Sequence, residues 1–168
     1  NKDASDLTLE IIPPIVSDIK VTNAVTNKNG WYNESLDFEC AAIDAESGIS
    51  EITAMVDDKV LYSKSFDKKV MTEEKIKFSL SKELVKEIRS KTGEYTVVVK
   101  VTDNCGNIST KNLKVKVDVR PPVVTLTGIA DGEYVNKVPE LVASETEDYV
   151  DAEGNSFTVT VYRNDKNI

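Results

Sequence analysis

Three acidic side chains in two predicted turns could together bind a hard metal ion. Asp44 and Glu46 lie in the sequence DAESG, and Asp103 begins the sequence DNCGN. Carboxylate oxygens are the ligands that calcium prefers, and a site in this chain must use oxygen because the chain contains no histidine. The regularly spaced acidic run of a helix–loop–helix calcium site is absent from the sequence. Two interpretations therefore stay open: a calcium site, or solvated carboxylates in turns.

Two neighbouring aromatic residues, Trp31 and Tyr32, follow the turn sequence Asn29-Gly30. Exposed aromatic rings can stack on sugars and form a ligand-binding platform. A ring beside an Asn-Gly turn can equally serve as a plug that anchors the loop on the core. The sequence leaves both interpretations open.

The composition excludes several functional classes. The chain has 21 Lys and Arg residues against 29 Asp and Glu residues, and its net charge of −8 disfavours binding to nucleic acid or to an anionic membrane surface. Without histidine, Ser-His and Cys-His catalytic pairs cannot form. The sequence contains no C-x-x-C pair and no glycine-rich phosphate loop, and no apolar run is long enough to insert into a membrane. We therefore predict that the chain is not an enzyme and needs no cofactor, with the calcium site described above as the alternative.

The elements that position these residues are predicted to be β-strands. Apolar residues alternate with polar ones in two segments, which places one side chain in two on the core side of a half-buried strand. The predicted core residues are Leu36, Phe38, Cys40, Tyr95, Val97, Val99 and Val101. Further strands are predicted at 15–22, 50–57, 59–66, 74–80 and 109–119. One short helix is predicted at 82–90, with Ser81 as its N-cap and Gly93 closing the segment.

Internal repetition indicates the domain organisation. LTLEIIPPIV at 7–16 matches VKVDVRPPVV at 115–124, and DAESG at 44–48 matches DAEG at 151–154 at nearly the same spacing. A double proline fits a joint between domains because proline cannot donate to a sheet ladder. We predict the last strand of one repeat at 1–12, a complete repeat at 13–120 and the first half of another at 121–168. By this interpretation the chain is a piece of a longer protein.

Several segments resemble the immunoglobulin-like repeats of bacterial surface proteins. GEYTVVVKVTDNCGN at 93–107 is similar to the G-x-Y-x-V-x-V-x-A-T-D-x-A-G-N signature of these repeats, and DAESGI at 44–49 is similar to their D-x-x-S-G-I hairpin. The segment 122–136 resembles their opening strand and turn. The resemblance implies an all-β, immunoglobulin-like antiparallel β-sandwich in tandem repeat. It also implies structural roles: a buried Tyr95 whose hydroxyl reaches the backbone, a left-handed Gly106, and turn caps at Asp103, Asn104 and Asn107.

The resemblance implies a non-catalytic stalk or spacer on a Gram-positive cell surface or in a secreted protein. Its partners would be adjacent repeats of the same kind. The alternatives are an adhesive module that binds a host protein or a glycan through Trp31 and Tyr32, and an accessory region of a secreted glycoside hydrolase.

An extracellular location would permit a disulfide between the two cysteines, Cys40 and Cys105. Cys105 replaces the alanine that is usual in the hairpin of these repeats. Cys40 points inward near the end of its predicted strand, and sandwich topology brings that end to the tip of the hairpin. We therefore predict a Cys40–Cys105 disulfide, with two free thiols as the alternative.

Overall fold

A computed structural model describes residues 9–128, 130, 132–134, 136, 137, 140–146, 162, 163, 166 and 167. The chain divides into two compact units, Asn1–Val119 and Arg120–Ile168. The division falls beside the double proline at Pro121, where the joint is predicted. The first unit includes residues 9–12, the described part of the segment that the sequence assigns to a preceding repeat.

The first unit is a β-sandwich with one short helix. Its regular elements are β1 (Ile15–Val16), β2 (Lys20–Val21), β3 (Trp31–Tyr32), β4 (Leu36–Ile43), β5 (Ile49–Val56), β6 (Lys59–Val70), β7 (Glu74–Leu80), α1 (Lys82–Ile88), β8 (Glu94–Asp103) and β9 (Ile108–Val117). This confirms the predicted immunoglobulin-like β-sandwich fold with one short helix.

Two sheets form the sandwich. In the first, β4 pairs with β1 and β2 along one edge and with β7 along the other, and all these pairs are antiparallel. In the second sheet the strand order is β3-β9-β8-β5-β6. Its pairs are antiparallel except for β3, which runs parallel to β9.

The core lies between the two sheets and consists of the apolar phase of each strand. All the predicted core residues are buried, among them Leu36, Val97, Val99 and Val101, which are fully shielded from solvent. Phe38 stacks on Phe78 across the β4–β7 pair, with ring centroids 5.2 Å apart. Burying each side chain of this size contributes about 1.5–3 kcal/mol. The core therefore fixes the two sheets and the turns that connect them.

The predicted strand at 15–22 is interrupted, which corrects the sequence interpretation. β1 and β2 are separated by residues 17–19, where the Ser17 hydroxyl accepts a hydrogen bond from the Ala41 N–H at 2.8 Å. A side chain therefore takes the place of a backbone acceptor in the ladder with β4. Ile19 is buried in the core.

Helix α1 begins as predicted. The Ser81 hydroxyl accepts a hydrogen bond from the Leu84 N–H at 3.1 Å, which satisfies one of the free amides of the first turn. The helix ends at Ile88, two residues before the predicted end, because Arg89 adopts a left-handed conformation with φ of 51°. Val85 is buried and anchors the helix on the core. In the described part of the chain, no helix has the length and apolar character needed to cross a bilayer.

The chain enters and leaves the first unit at opposite ends of the sandwich. β1 pairs with the last residues of β4, so the chain enters beside the turn at 44–48. β9 ends where β8 begins, since Glu94 pairs with Lys116. We call the first end, which holds the turns at 44–48 and 104–107, the acidic end, and the second the Tyr95 end.

The second unit contains two short antiparallel pairs among its described residues. β10 (Val123–Thr127) pairs with β11 (Val142–Thr146), and β12 (Tyr162–Arg163) pairs with β13 (Lys166–Asn167). The predicted repeat match at 151–154 lies outside the described residues.

Candidate functional site

The two predicted turns of the acidic end lie side by side. The Asn104 N–H donates to the Gly48 carbonyl at 3.0 Å. The Asn104 side-chain amide also donates to the Ser47 and Gly48 carbonyls, at 3.0 and 2.8 Å. Asn104 therefore joins the two turns by donating to carbonyls, whereas the expectation was that it caps turn amides.

Asp103 organises the turn at 104–107. Its Oδ1 accepts hydrogen bonds from the N–H groups of Cys105 and Asn107, each at 2.8 Å, and its Oδ2 accepts one from the Asn107 side-chain amide at 2.8 Å. Gly106 has φ of 90°, a left-handed conformation that glycine adopts without strain. These contacts confirm the predicted roles of Asp103 and Gly106.

Burial and hydrogen bonding act in opposite directions on Asp103, whose side chain is buried. Burial raises the pKa of a carboxyl group, whereas hydrogen bonds to the charged form lower it. The bonds from Asn107, Cys105 and Gly106 outweigh the burial and hold the pKa of Asp103 below its ordinary value. Asp103 is therefore a charged carboxylate inside the fold.

Asp44 performs the same task in the neighbouring turn. Its Oδ1 accepts hydrogen bonds from the N–H groups of Glu46 at 3.2 Å and Gly48 at 2.6 Å. The side chain of Asp44 is buried, whereas Glu46 is exposed. The structure thus separates the predicted calcium ligands: Asp44 and Asp103 come together, and Glu46 contributes its backbone amide to the turn.

A residue that sequence reasoning missed, Glu10, completes the acidic cluster. One carboxylate oxygen from each of Glu10, Asp44 and Asp103 lies within 4.8 Å of the others. Glu10 belongs to the segment before β1, and its carbonyl accepts a hydrogen bond from the Asn107 side chain at 3.4 Å. The sequence held one signal: Glu10 and Asp118 occupy equivalent positions before the two double prolines.

Three oxygen atoms at this end are buried without a hydrogen-bond partner among the described residues. They are both carboxylate oxygens of Glu10 and the hydroxyl oxygen of Ser47. The Cys105 thiol lies beside them. Its interaction with Glu10 is the largest influence on it, and the pKa of Cys105 is raised although the interaction with Ser47 acts in the opposite direction. A thiol is a weak donor, and these contacts fall short of hydrogen-bond geometry. The carboxylate of Glu10 is therefore left with unused acceptor capacity in a buried position.

The structure leaves Cys40 and Cys105 as free thiols, which corrects the predicted disulfide. β4 continues for three residues beyond Cys40, which is roughly 10 Å of extended strand. A disulfide requires Cα atoms within about 7 Å. Cys40 is buried, and burial together with the charge of Glu39 raises its pKa to about 11. Cys105 is exposed at the hairpin tip.

Trp31 and Tyr32 lie near the Tyr95 end, away from the acidic cluster, and both are half-buried. Tyr32 lines a cavity of about 360 Å³ together with Ile19, Val21, Gly30 and Lys114. Trp31 does not line it. Its ring faces the Lys116 ammonium, which lies 5.7 Å from the ring centroid. The two rings therefore do not form one exposed platform.

Two solved structures are similar to the chain over about two thirds of its length. No family model and no curated protein matches the chain. Among solved structures, the chain is similar to the crystal structure of the CARDB domain of the PF1109 protein from Pyrococcus furiosus in complex with di-metal ions. That match has 13% identity and a TM-score of 0.43, and it covers 66% of this chain and 97% of that chain. The solution NMR structure of the same domain matches with 12% identity and a TM-score of 0.41, over 66% of this chain and all of that chain.

Proposed function

We propose that this chain is a non-catalytic structural part of an extracellular bacterial protein, in which immunoglobulin-like modules act as a stalk or spacer. The observation that carries the proposal is that the chain enters the first unit at the acidic end and leaves it at the Tyr95 end. Modules connected in this way extend a chain with each copy, and the ten residues of β8 alone span about 33 Å.

The side chains that could take part in chemistry support the same proposal. Asp44 and Asp103 accept hydrogen bonds from turn amides, and the Tyr95 hydroxyl bonds to backbone groups beside α1. The chain also contains no histidine to act as a general base near neutral pH. These groups serve the fold, which is what a spacer requires.

The proposal is tested by the length that one added module contributes. Small-angle X-ray scattering would compare the full chain with a variant in which residues 13–120 are duplicated in tandem. We expect the maximum dimension to rise by roughly 30 Å or more, because the connections lie at opposite ends. A rise of less than half that amount would show that neighbouring copies fold back, and the spacer function would be wrong.

A second candidate function is an adhesive or carbohydrate-binding module. The observation that favours it is the cavity beside Tyr32, which combines an aromatic ring with the polar side chains of Asn29 and Lys114. Screening the full chain against glycans and host proteins tests this function, with Tyr32→Ala as the site variant and Tyr62→Ala, on β6, as the control. Binding that Tyr32→Ala abolishes and Tyr62→Ala retains would favour adhesion over a spacer.

A further inference from the structure

We propose that Glu10, Asp44 and Asp103 bind a calcium ion, which fastens the segment before Pro13 to the acidic end of the sandwich. The binding of the ion is supported by observations that do not depend on the spacer function. Its role in stiffening a joint between modules rests on the proposed spacer function.

The first observation is the unsatisfied carboxylate of Glu10. Both of its oxygens are buried, and neither accepts a hydrogen bond in the described part of the chain. Burying a charge without a partner is costly, so such groups are normally paired with an opposite charge or a metal ion. The hydroxyl oxygen of Ser47 is buried and unpartnered at the same end. Two residues therefore hold unused oxygen acceptors at the same end.

The second observation is the charge of the cluster. Three carboxylates converge, and none of them takes part in an ion pair among the described residues. The ion pairs found there include those of Lys59, Lys64, Lys77 and Lys111. A divalent cation would supply the opposite charge that the described residues do not place there.

The geometry suits calcium. The three ligand oxygens lie within 4.8 Å of one another, which is the largest separation of two oxygens that both bind one calcium ion at about 2.4 Å. Each carboxylate oxygen has two lone pairs, so the turn hydrogen bonds of Asp44 and Asp103 leave room for a metal bond. Water would occupy the remaining positions. An all-oxygen set favours calcium over zinc, and an irregular set favours it over magnesium, which demands near-ideal octahedral geometry.

The ligands come from three separate segments, and this gives the ion a structural consequence. Glu10 precedes the double proline, Asp44 follows β4, and Asp103 ends β8. Apart from the ion, the polar contacts that hold the entering segment include a bond from the Asn107 side-chain amide to the Glu10 carbonyl and one from the Ser109 hydroxyl to the Pro14 carbonyl. An ion bound by all three carboxylates would cross-link the entering chain to both turns.

The test uses the full chain, freed of metal with a chelator and titrated with calcium chloride by isothermal calorimetry. We expect one site with a Kd of roughly 10⁻⁴–10⁻³ M, as in other extracellular modules with few charged ligands. Glu10→Gln removes a ligand charge without disturbing a hydrogen bond, and it should weaken binding at least tenfold. Glu46→Gln is the matched control, because Glu46 is an exposed glutamate of the same turn, and its Kd should stay within about twofold of wild type.

Thermal unfolding provides a second test, because only the proposed ion predicts a reversal in the order of the melting temperatures. In chelator, Glu10→Gln should melt at or above the wild-type temperature, because one of three crowded negative charges is gone. In about 10 mM calcium chloride the order should reverse, with wild type gaining about 5 °C. Calcium should also slow hydrogen exchange of the backbone amides at residues 9–12 in wild type but not in Glu10→Gln.

The proposal would be overturned by no heat of binding together with an unchanged melting temperature, or by equal losses in Glu10→Gln and Glu46→Gln. Preferential binding of zinc or magnesium would also overturn the assignment to calcium. These outcomes are separate from the scattering test. A chain that binds no calcium but lengthens on duplication keeps the spacer function, and a chain that binds calcium but folds back keeps the metal site.

Discussion

The two ends of the first unit use different chemistry to form hydrogen bonds with buried polar groups. At the Tyr95 end, the hydroxyl of a buried tyrosine donates to the Val85 carbonyl at 3.2 Å and accepts from the Ser90 N–H at 3.4 Å. At the acidic end, charged carboxylates accept hydrogen bonds from the turn amides. A neutral hydroxyl is satisfied by two bonds, whereas the acidic end keeps surplus negative charge at Glu10. The first end is therefore expected to depend on packing, and the second on pH and ions.

The largest effect is expected at the Tyr95 end. Tyr95→Ala should lower the free energy of unfolding by about 3–5 kcal/mol, because it empties a ring-sized volume in the core. Tyr95→Phe keeps the ring and should lose about 1–2 kcal/mol for the two hydrogen bonds. Urea unfolding measures both. Tyr62→Phe, at a half-buried position in β6, is the control and should change stability by less than about 0.5 kcal/mol. Equal losses in Tyr95→Ala and Tyr95→Phe would contradict a role for packing.

A smaller effect, with a distinct pH dependence, is expected for Asp103→Asn. Measured in chelator at neutral pH, the variant should lose roughly 1–3 kcal/mol, because three hydrogen bonds to a charged group are weakened. The folded pKa of Asp103 is depressed below 3.8. Its stabilisation is therefore present above that pH and is lost as the pH falls through the folded pKa. Urea unfolding at pH 7 and at about pH 3 should show the gap between variant and wild type narrowing. A constant gap would contradict the charge argument.

Substitutions at two glycines of the acidic end distinguish the stability lost to backbone strain from that lost to steric overlap. Gly106 and Gly48 have similar φ angles of 90° and 81°. A Cβ at Gly106 would meet no atom within 4 Å, whereas one at Gly48 would lie 2.9 Å from the Val70 carbonyl oxygen. Gly106→Ala should therefore cost about 1 kcal/mol for the left-handed conformation alone, and Gly48→Ala should cost distinctly more. If thermal unfolding gives equal losses, packing at Gly48 is not the cause.

The smallest effect on stability is expected at the cysteines, where labelling distinguishes their environments. Cys105 is exposed and Cys40 is buried, so a thiol reagent should modify one group rapidly in the native protein and the second only on unfolding. Cys105→Ser should remove the rapid phase and change stability by less than about 0.5 kcal/mol. Two unreactive sulfurs under denaturing, non-reducing conditions would restore the disulfide interpretation.

The sequence correctly predicted the parts of the fold that local residue patterns determine. Alternating residues in β4 and β8 predicted the core, and the turn sequence after Val101 predicted the cap at Asp103. It did not predict the position of Glu10 in the acidic cluster. That position depends on the path that the segment before β1 takes over the assembled turns. The disulfide prediction was wrong for a related reason. The alternating pattern showed that Cys40 points inward, but it did not show how far β4 continues beyond that residue.

The parallel pairing of β3 with β9 has a mechanical consequence for a chain that is pulled at its two ends. The chain enters the first unit at the acidic end and leaves it at the Tyr95 end, so tension acts along the strands. The hydrogen bond from the Asp118 N–H to the Tyr32 carbonyl, at 2.9 Å, and its neighbours on β9 would be loaded together in shear. The β1–β4 contacts near Ile43 would be loaded in the same direction. Rupture would require these bonds to break at the same moment, whereas a hairpin pulled open from its tip yields one bond at a time.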